Sequence, residues 1–202
     1  MGRPKGKRRH CSAGRQSKNV LLSALVERNP GLIHHLTDVA ELAVDVARLL
    51  ELPEHEIEQV RHAAELHDVG KVAIPDAILQ KQGPLTDEEW HFVHEHTLIG
   101  ARIISAAPAL THVAKLVRSS HERWDGTGYP DRLTADQIPI GSRIVSACDA
   151  FAAMITNRPY REAVDLPQAL QELQRCAGTQ FDPTVVTALT TVLTTPAALA
   201  AA

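Results

Sequence analysis

Residues 36–50 read LTDVAELAVDVARLL, and the spacing of their apolar positions decides the fold. Leu36, Val39, Ala40, Ala43, Val44, Ala47 and Leu50 recur at i, i+3, i+4 and i+7, the signature of one buried helical face. The helix is expected to end before Pro53. On its N-terminal side, Val20 to Arg28 reads as a short helix stopped by Asn29-Pro30-Gly31. On its C-terminal side, a helix begins near Pro53, keeps Ile57, Val60, Ala63, Ala64 and Leu66 apolar, and stops at Gly70. Thr86 followed by Glu89 forms a capping box, which opens a helix to about Ala106. Further helices are expected over about 109–121, 140–155 and from Pro167 to Gly178, with Asp182-Pro183 starting the last. Glu122 to Pro139, rich in Gly, Asp and Pro, reads as a loop. No window alternates with period two for long enough to make a strand, so the fold class is all-α, a helical bundle.

Composition agrees. Aromatic residues are only 3% of the 202, so the core must come from Leu, Val, Ile and Ala, which favours helices over a β-sandwich. One domain over 20–194 accommodates the pattern, with a basic tail at 1–19, expected to be disordered, and a flexible C-terminal tail at 195–202. The most apolar stretch, from Val185 on, is broken by five threonines and Pro196, so no membrane span is expected. Three cysteines without CxxC spacing suit a reducing cytoplasm. Residues 1–18 hold seven basic groups and no acid; the rest of the chain has 14 basic against 24 acidic, or −10. A body this acidic argues against nucleic acid as its partner.

The chemistry concentrates in His67-Asp68-Val69-Gly70-Lys71. An adjacent imidazole and carboxylate can serve two cations, and the glycine lets the chain turn so that Lys71 returns beside the pair. His96, His121 and Asp149 follow at successive intervals of 29, 25 and 28 residues, each about one helix plus a loop. Successive helices can thus each bring one ligand to a common centre. Asp149 lies among Ile144, Val145, Ala147, Cys148, Ala150 and Phe151, where an unpaired carboxylate would be expensive and a metal or a histidine would relieve it. Cys148 reads as part of the apolar core.

His67-Asp68, Lys71, the run His121-Glu122-Arg123-Trp124-Asp125-Gly126-Thr127-Gly128-Tyr129-Pro130 and Arg158-Pro159-Tyr160-Arg161 together resemble the HD-GYP phosphodiesterases, HD-domain hydrolases that degrade cyclic di-GMP. The resemblance runs from about Leu21 to Leu193 and implies an HD-domain helical bundle with a Gly-Tyr-Pro loop. It implies two divalent metal ions, Fe or Mn, held by His35, His67, Asp68, His96, His121 and Asp149. His35 is preferred to His34 because the family's first histidine lies four residues before a core valine, here Val39. Asp68 and Lys71 are the implied catalytic residues; Lys71, Tyr129, Arg158 and Arg161 are the implied substrate contacts, with Tyr129 walling the cleft. The implied reaction is hydrolysis of cyclic di-GMP to pGpG and/or GMP, with a homodimer or a regulatory protein as possible partners. This chain departs from the family at Ser120, where an imidazole is common, at Gly31, at Ala152 and at Thr156-Asn157. Those departures leave open a protein that binds cyclic di-GMP or a partner without turnover, or an HD hydrolase of another nucleotide.

Overall fold

The computed structural model describes residues 6–28, 32–157 and 162–195. Among them are nine α-helices and no β-strand: α1 (Gly6–Arg28), α2 (Leu32–Leu49), α3 (Glu54–Leu66), α4 (Asp76–Leu79), α5 (Asp87–Ser105), α6 (Thr111–Arg118), α7 (Ile140–Met154), α8 (Leu166–Arg175) and α9 (Pro183–Thr194). No helix among the described residues is long and apolar enough to cross a membrane.

The α2 stripe is buried as its spacing predicts, from Leu36 through Ala47. Val46, outside that stripe, is buried too. The reason is position: α2 packs on α3, α7 and α9 at once, so its apolar face must be wider than that of a helix with one neighbour. Leu50, expected in the stripe, is only partly buried, because it lies past the end of the helix. The Thr86 capping box is present, with Glu89 N–H donating to the Thr86 hydroxyl at 3.3 Å and Thr86 N–H to the Glu89 carboxylate at 2.7 Å. Asp182 caps α9 by accepting from Thr184 N–H at 2.7 Å. Asp165 caps α8 in the same way, so that helix starts at Leu166 with Pro167 in its first turn.

Three expectations are corrected. The basic segment 1–19 is not a tail up to residue 19: α1 starts at Gly6, and Gly14 and Lys18 are buried. The acidic surface of α3 explains this, since Lys18 Nζ lies 3.0 Å from the Glu65 carboxylate and Arg15 lies 3.7 Å from Glu58. The helix expected over 53–70 ends at Leu66, and a 3₁₀ turn, Val69–Ala73, follows it. The helix expected over 109–121 is a 3₁₀ turn, Pro108–Leu110, leading into α6, which ends at Arg118, three residues before His121. That early ending matters, because it puts His121 in a turn where its direction is not tied to a helix face.

Gly70 is required for a reason other than the expected sharp turn. A Cβ there would sit 1.9 Å from the His96 carbonyl oxygen and 2.6 Å from the Gly100 amide. The missing side chain lets the 3₁₀ turn lie against the backbone of α5, which holds Asp68 and His96 close together.

Candidate metal centre

Five segments converge. The start of α2 delivers His35; the end of α3 and the turn after it deliver His67 and Asp68; α5 delivers His96; the turn after α6 delivers His121; and α7 delivers Asp149. Their polar atoms form two groups, His35–His67–Asp149 and Asp68–His96–His121, with the atoms within each group less than 4.8 Å apart. His34, the alternative to His35, is exposed.

In the first group, His35 Nε2 donates to Asp149 Oδ1 at 3.0 Å, and His67 Nε2 lies 3.6 Å from the same oxygen. In the second, Asp68 Oδ1 is 3.9 Å from His96 Nε2. Asp68 also reaches the first group, with Oδ1 3.6 Å from His67 Nε2. Two imidazoles are oriented from behind: His67 Nδ1 donates to the Ala64 carbonyl at 2.8 Å and His96 Nδ1 to the Val93 carbonyl at 2.6 Å. Each bond fixes the orientation of its ring and turns Nε2 toward the centre. Asp68 Oδ1, His96 Nε2 and His121 Nε2 are buried and have no hydrogen-bond partner. A buried polar atom without a partner is destabilising by about 1–3 kcal/mol, so three of them converging, together with one imidazole set and shared carboxylates, fit a divalent cation.

The electrostatics are shaped by burial and charge. Burial alone would depress His67, but the carboxylates of Asp68 and Asp149 push it up to about 9. Burial, with His96 alongside, drives His121 down to about 3, so it is neutral at pH 7. Burial also lowers His96, despite Asp68. Burial would raise Asp68, but Lys71 and His67 outweigh it and hold the carboxyl well below its usual range; for Asp149 the His67 charge does the same. Lys71 Nζ sits 2.7 Å from Asp68 Oδ2. Burial pushes the Cys148 thiol up and leaves it inert, as expected of a core cysteine.

Tyr129 lies between His121 and His94. Its ring stacks on His121 with centroids 5.2 Å apart and on His94 with centroids 3.9 Å apart. Burial raises its phenol, which stays protonated. Beyond Tyr129 lies an open cleft of about 640 Å³ lined by His91, His94, Leu98, Thr127, Tyr129 and Arg132, among others. Arg158 and Arg161 fall outside the described residues, as does Gly31. Ala152 is buried in the bundle, and the Ser120 hydroxyl donates to the Val117 carbonyl at 2.9 Å.

Two residues with clear roles were not singled out from sequence. Glu122 is 3% exposed and clasps the loop, accepting from Asp131 N–H at 2.6 Å and Leu133 N–H at 3.0 Å. The signal was a carboxylate inside the motif itself, next to His121. His94, whose ring stacks on Tyr129, follows Trp90 by four residues and precedes His96 by two, a spacing that marks it only weakly.

A helical bundle whose helix ends and turns bring imidazoles and carboxylates to two adjoining ligand groups agrees with the HD-domain bundle that the His67-Asp68 motif implies. The chain belongs to the HD-domain family, whose model matches residues 19–185. Within it the chain is an HD-GYP protein, as the Gly-Tyr-Pro loop beside His121 indicates and its relatives bear out. It is 40% identical over 156 residues to a cyclic di-GMP phosphodiesterase of Thermotoga maritima, covering 76% of this chain and 42% of the relative. It is 39% identical over 168 residues to a 3'3'-cGAMP-specific phosphodiesterase 2 of Vibrio cholerae, covering 82% of this chain and 32% of the relative. The chain therefore spans less than half the length of these curated relatives. Its fold is similar to that of an HDG"Y"P protein from Bdellovibrio bacteriovorus, with a TM-score of 0.68 at 20% identity over 92% of this chain and 62% of that one.

Proposed function

We propose that the chain is a metal-dependent phosphodiesterase that hydrolyses cyclic di-GMP to pGpG and/or GMP. The observation that carries this reading is the convergence of Asp68 Oδ1, His96 Nε2 and His121 Nε2, buried and unpartnered, beside the ion-paired group of His35, His67 and Asp149. Those six residues would hold the cations, with Asp68 placed to serve both groups. When bound there, two divalent cations, Fe or Mn, supply Lewis acidity to the phosphate oxygens and make water acidic enough to attack near neutral pH. Lys71, held on Asp68 at 2.7 Å, brings a positive charge beside the ligand groups, where it would offset the negative charge a phosphate gains as it becomes five-coordinate. Arg158 and Arg161 orient the second phosphate by bidentate bonding. Tyr129, with its phenol protonated, walls the cleft. The oxygen of one water bonds to phosphorus as the P–O bond to a ribose 3′ oxygen breaks and that oxygen takes up a proton, which opens the ring to pGpG; a second water splits pGpG into two GMP in the same way.

The test is hydrolysis of cyclic di-GMP by the chain purified with Mn or Fe, followed by chromatography of pGpG and GMP. Asp68→Ala should lower the rate by on the order of 10²–10³-fold or more. Activity that survives the substitution sinks the ligand assignment. Assaying 3'3'-cGAMP in parallel decides between a symmetric and a mixed dinucleotide. A second reading, binding without turnover, draws on Ser120, whose hydroxyl is turned to the Val117 carbonyl and adds no ligand. Its mark is cyclic di-GMP bound for hours under reducing, metal-replete conditions with no product.

A further inference from the structure

His67 and His96 are each locked by an Nδ1 hydrogen bond to the carbonyl three residues back. His121 makes no side-chain hydrogen bond among the described residues, and it sits in a turn rather than on a helix. A ligand imidazole without an outer hydrogen bond is free to rotate about its Cβ–Cγ bond, yet metal affinity depends on that orientation. What holds this ring is a stack. His94, Tyr129 and His121 lie face on face, with centroids 3.9 Å apart at 21° and 5.2 Å apart at 7°. Trp90, one turn before His94 on α5, supports the outer end at 5.7 Å, and His96 meets the edge of His121 at 4.9 Å and 72°.

We propose that His94 is a positioning residue: through Tyr129 it holds the plane of the His121 imidazole, in place of the hydrogen bond that the other two buried imidazoles have. The inference rests on reading Asp68, His96 and His121 as metal ligands. The cleft of about 640 Å³ explains why the clamp is needed. It opens on the outer side of Tyr129 and is bordered by His94 itself, so without the His94 ring the tyrosine has room to swing outward and release His121. α5 thus supplies both a ligand, His96, and the clamp for another, two residues earlier.

The test is titration of the chelator-treated full chain with Mn by calorimetry, with the Co(II) absorption spectrum as a second readout of coordination geometry. His94→Ala should weaken the weaker of two binding events roughly tenfold, as loss of an outer-shell partner does, and shift the Co(II) bands. His94→Phe keeps a flat ring and should stay within about twofold of the unsubstituted chain. Tyr129→Leu removes the middle of the stack and should reproduce the His94→Ala loss, which keeps the test open if His94→Ala misfolds. Unchanged affinity and spectrum in His94→Ala overturn the clamp, as does an equal loss in His94→Phe. An unsubstituted chain that binds no metal overturns it from below, by removing the ligand reading, and is distinguishable because every variant then behaves alike.

Discussion

His35, His67 and Asp149 close on one another: a single carboxylate oxygen takes a hydrogen bond from one imidazole and faces the second. Asp68, His96 and His121, beside them, do not. Each presents a buried atom with no partner, although Asp68 Oδ2 is met by Lys71 and His96 Nδ1 by the Val93 carbonyl. The residue types are the same, so composition does not explain the difference. Placement does: His35 Nε2 is 3.0 Å from its carboxylate oxygen, whereas His96 Nε2 is 3.9 Å from Asp68 Oδ1. The first group can persist as a hydrogen-bonded ion cluster, whereas the second is balanced only by a ligand that accepts all three lone pairs. The first is therefore the better scaffold and the second the part whose energetics answer most strongly to a cation.

The comparison breaks most readily at Gly70. Gly70→Ala drives a Cβ into the His96 carbonyl and parts the 3₁₀ turn from α5. It should destabilise the chain by about 3 kcal/mol, the upper end for an overpacked site, and it should impair the second group before the first. Urea unfolding and metal stoichiometry measured on the same sample check both halves of that statement.

Adding Mn at a hundredfold excess over its dissociation constant should stabilise the chain by about 2.7 kcal/mol, and a chelator should reverse it. His121→Ala should lose most of that gain, because it empties the group with no internal partners. His35→Ala should leave part of it. Equal losses in thermal melts of the two variants would erase the asymmetry.

Glu122→Ala should cost about 2 kcal/mol by leaving the Asp131 and Leu133 amides without their buried acceptor. Because Tyr129 N–H bonds the His121 carbonyl, the loosened loop should also weaken metal binding in the second group. Urea midpoints and Mn titration report the two effects separately.

The smallest effect comes from outside both groups. Burial lowers His62, opposed by Glu65 and Glu58 and aided by Lys18 and Arg15, where α3 meets α1. Its folded-state value lies below the unfolded 6.5, so the unfolded chain binds more protons as pH falls through that range. Stability from this residue is complete above about pH 6.5 and is lost on acidification. Comparing urea midpoints at pH 7.5 and 5.5, His62→Gln should show a smaller drop than the unsubstituted chain.

Much of this was legible in the chain. The α2 stripe, the Thr86–Glu89 box and the Asp182 cap are local patterns, and each appears where its spacing puts it, since a helix obeys its own period whatever it packs on. The chain order of His67-Asp68, His96, His121 and Asp149 also announced convergence, because one helix plus one loop returns a bundle to the same end. The fate of residues 6–19 was not legible. Basic residues without a hydrophobic period look solvated until an acidic partner surface, here Glu58 and Glu65, is known. Nor could the role of Gly70 be read, because a close approach between segments 30 residues apart leaves no trace at either one.

By itself, the sequence determined that this protein is a helical bundle and which side chains are the candidates for its chemistry, because periodicity and residue type are properties of neighbours along the chain. Only the tertiary structure decided that Asp149 is paired while Asp68, His96 and His121 keep unpartnered atoms, and that His94, Tyr129 and His121 stack ring on ring. Hydrogen bonds and ring contacts act over a few ångströms between residues far apart in sequence, so their partners exist only once the helices have packed.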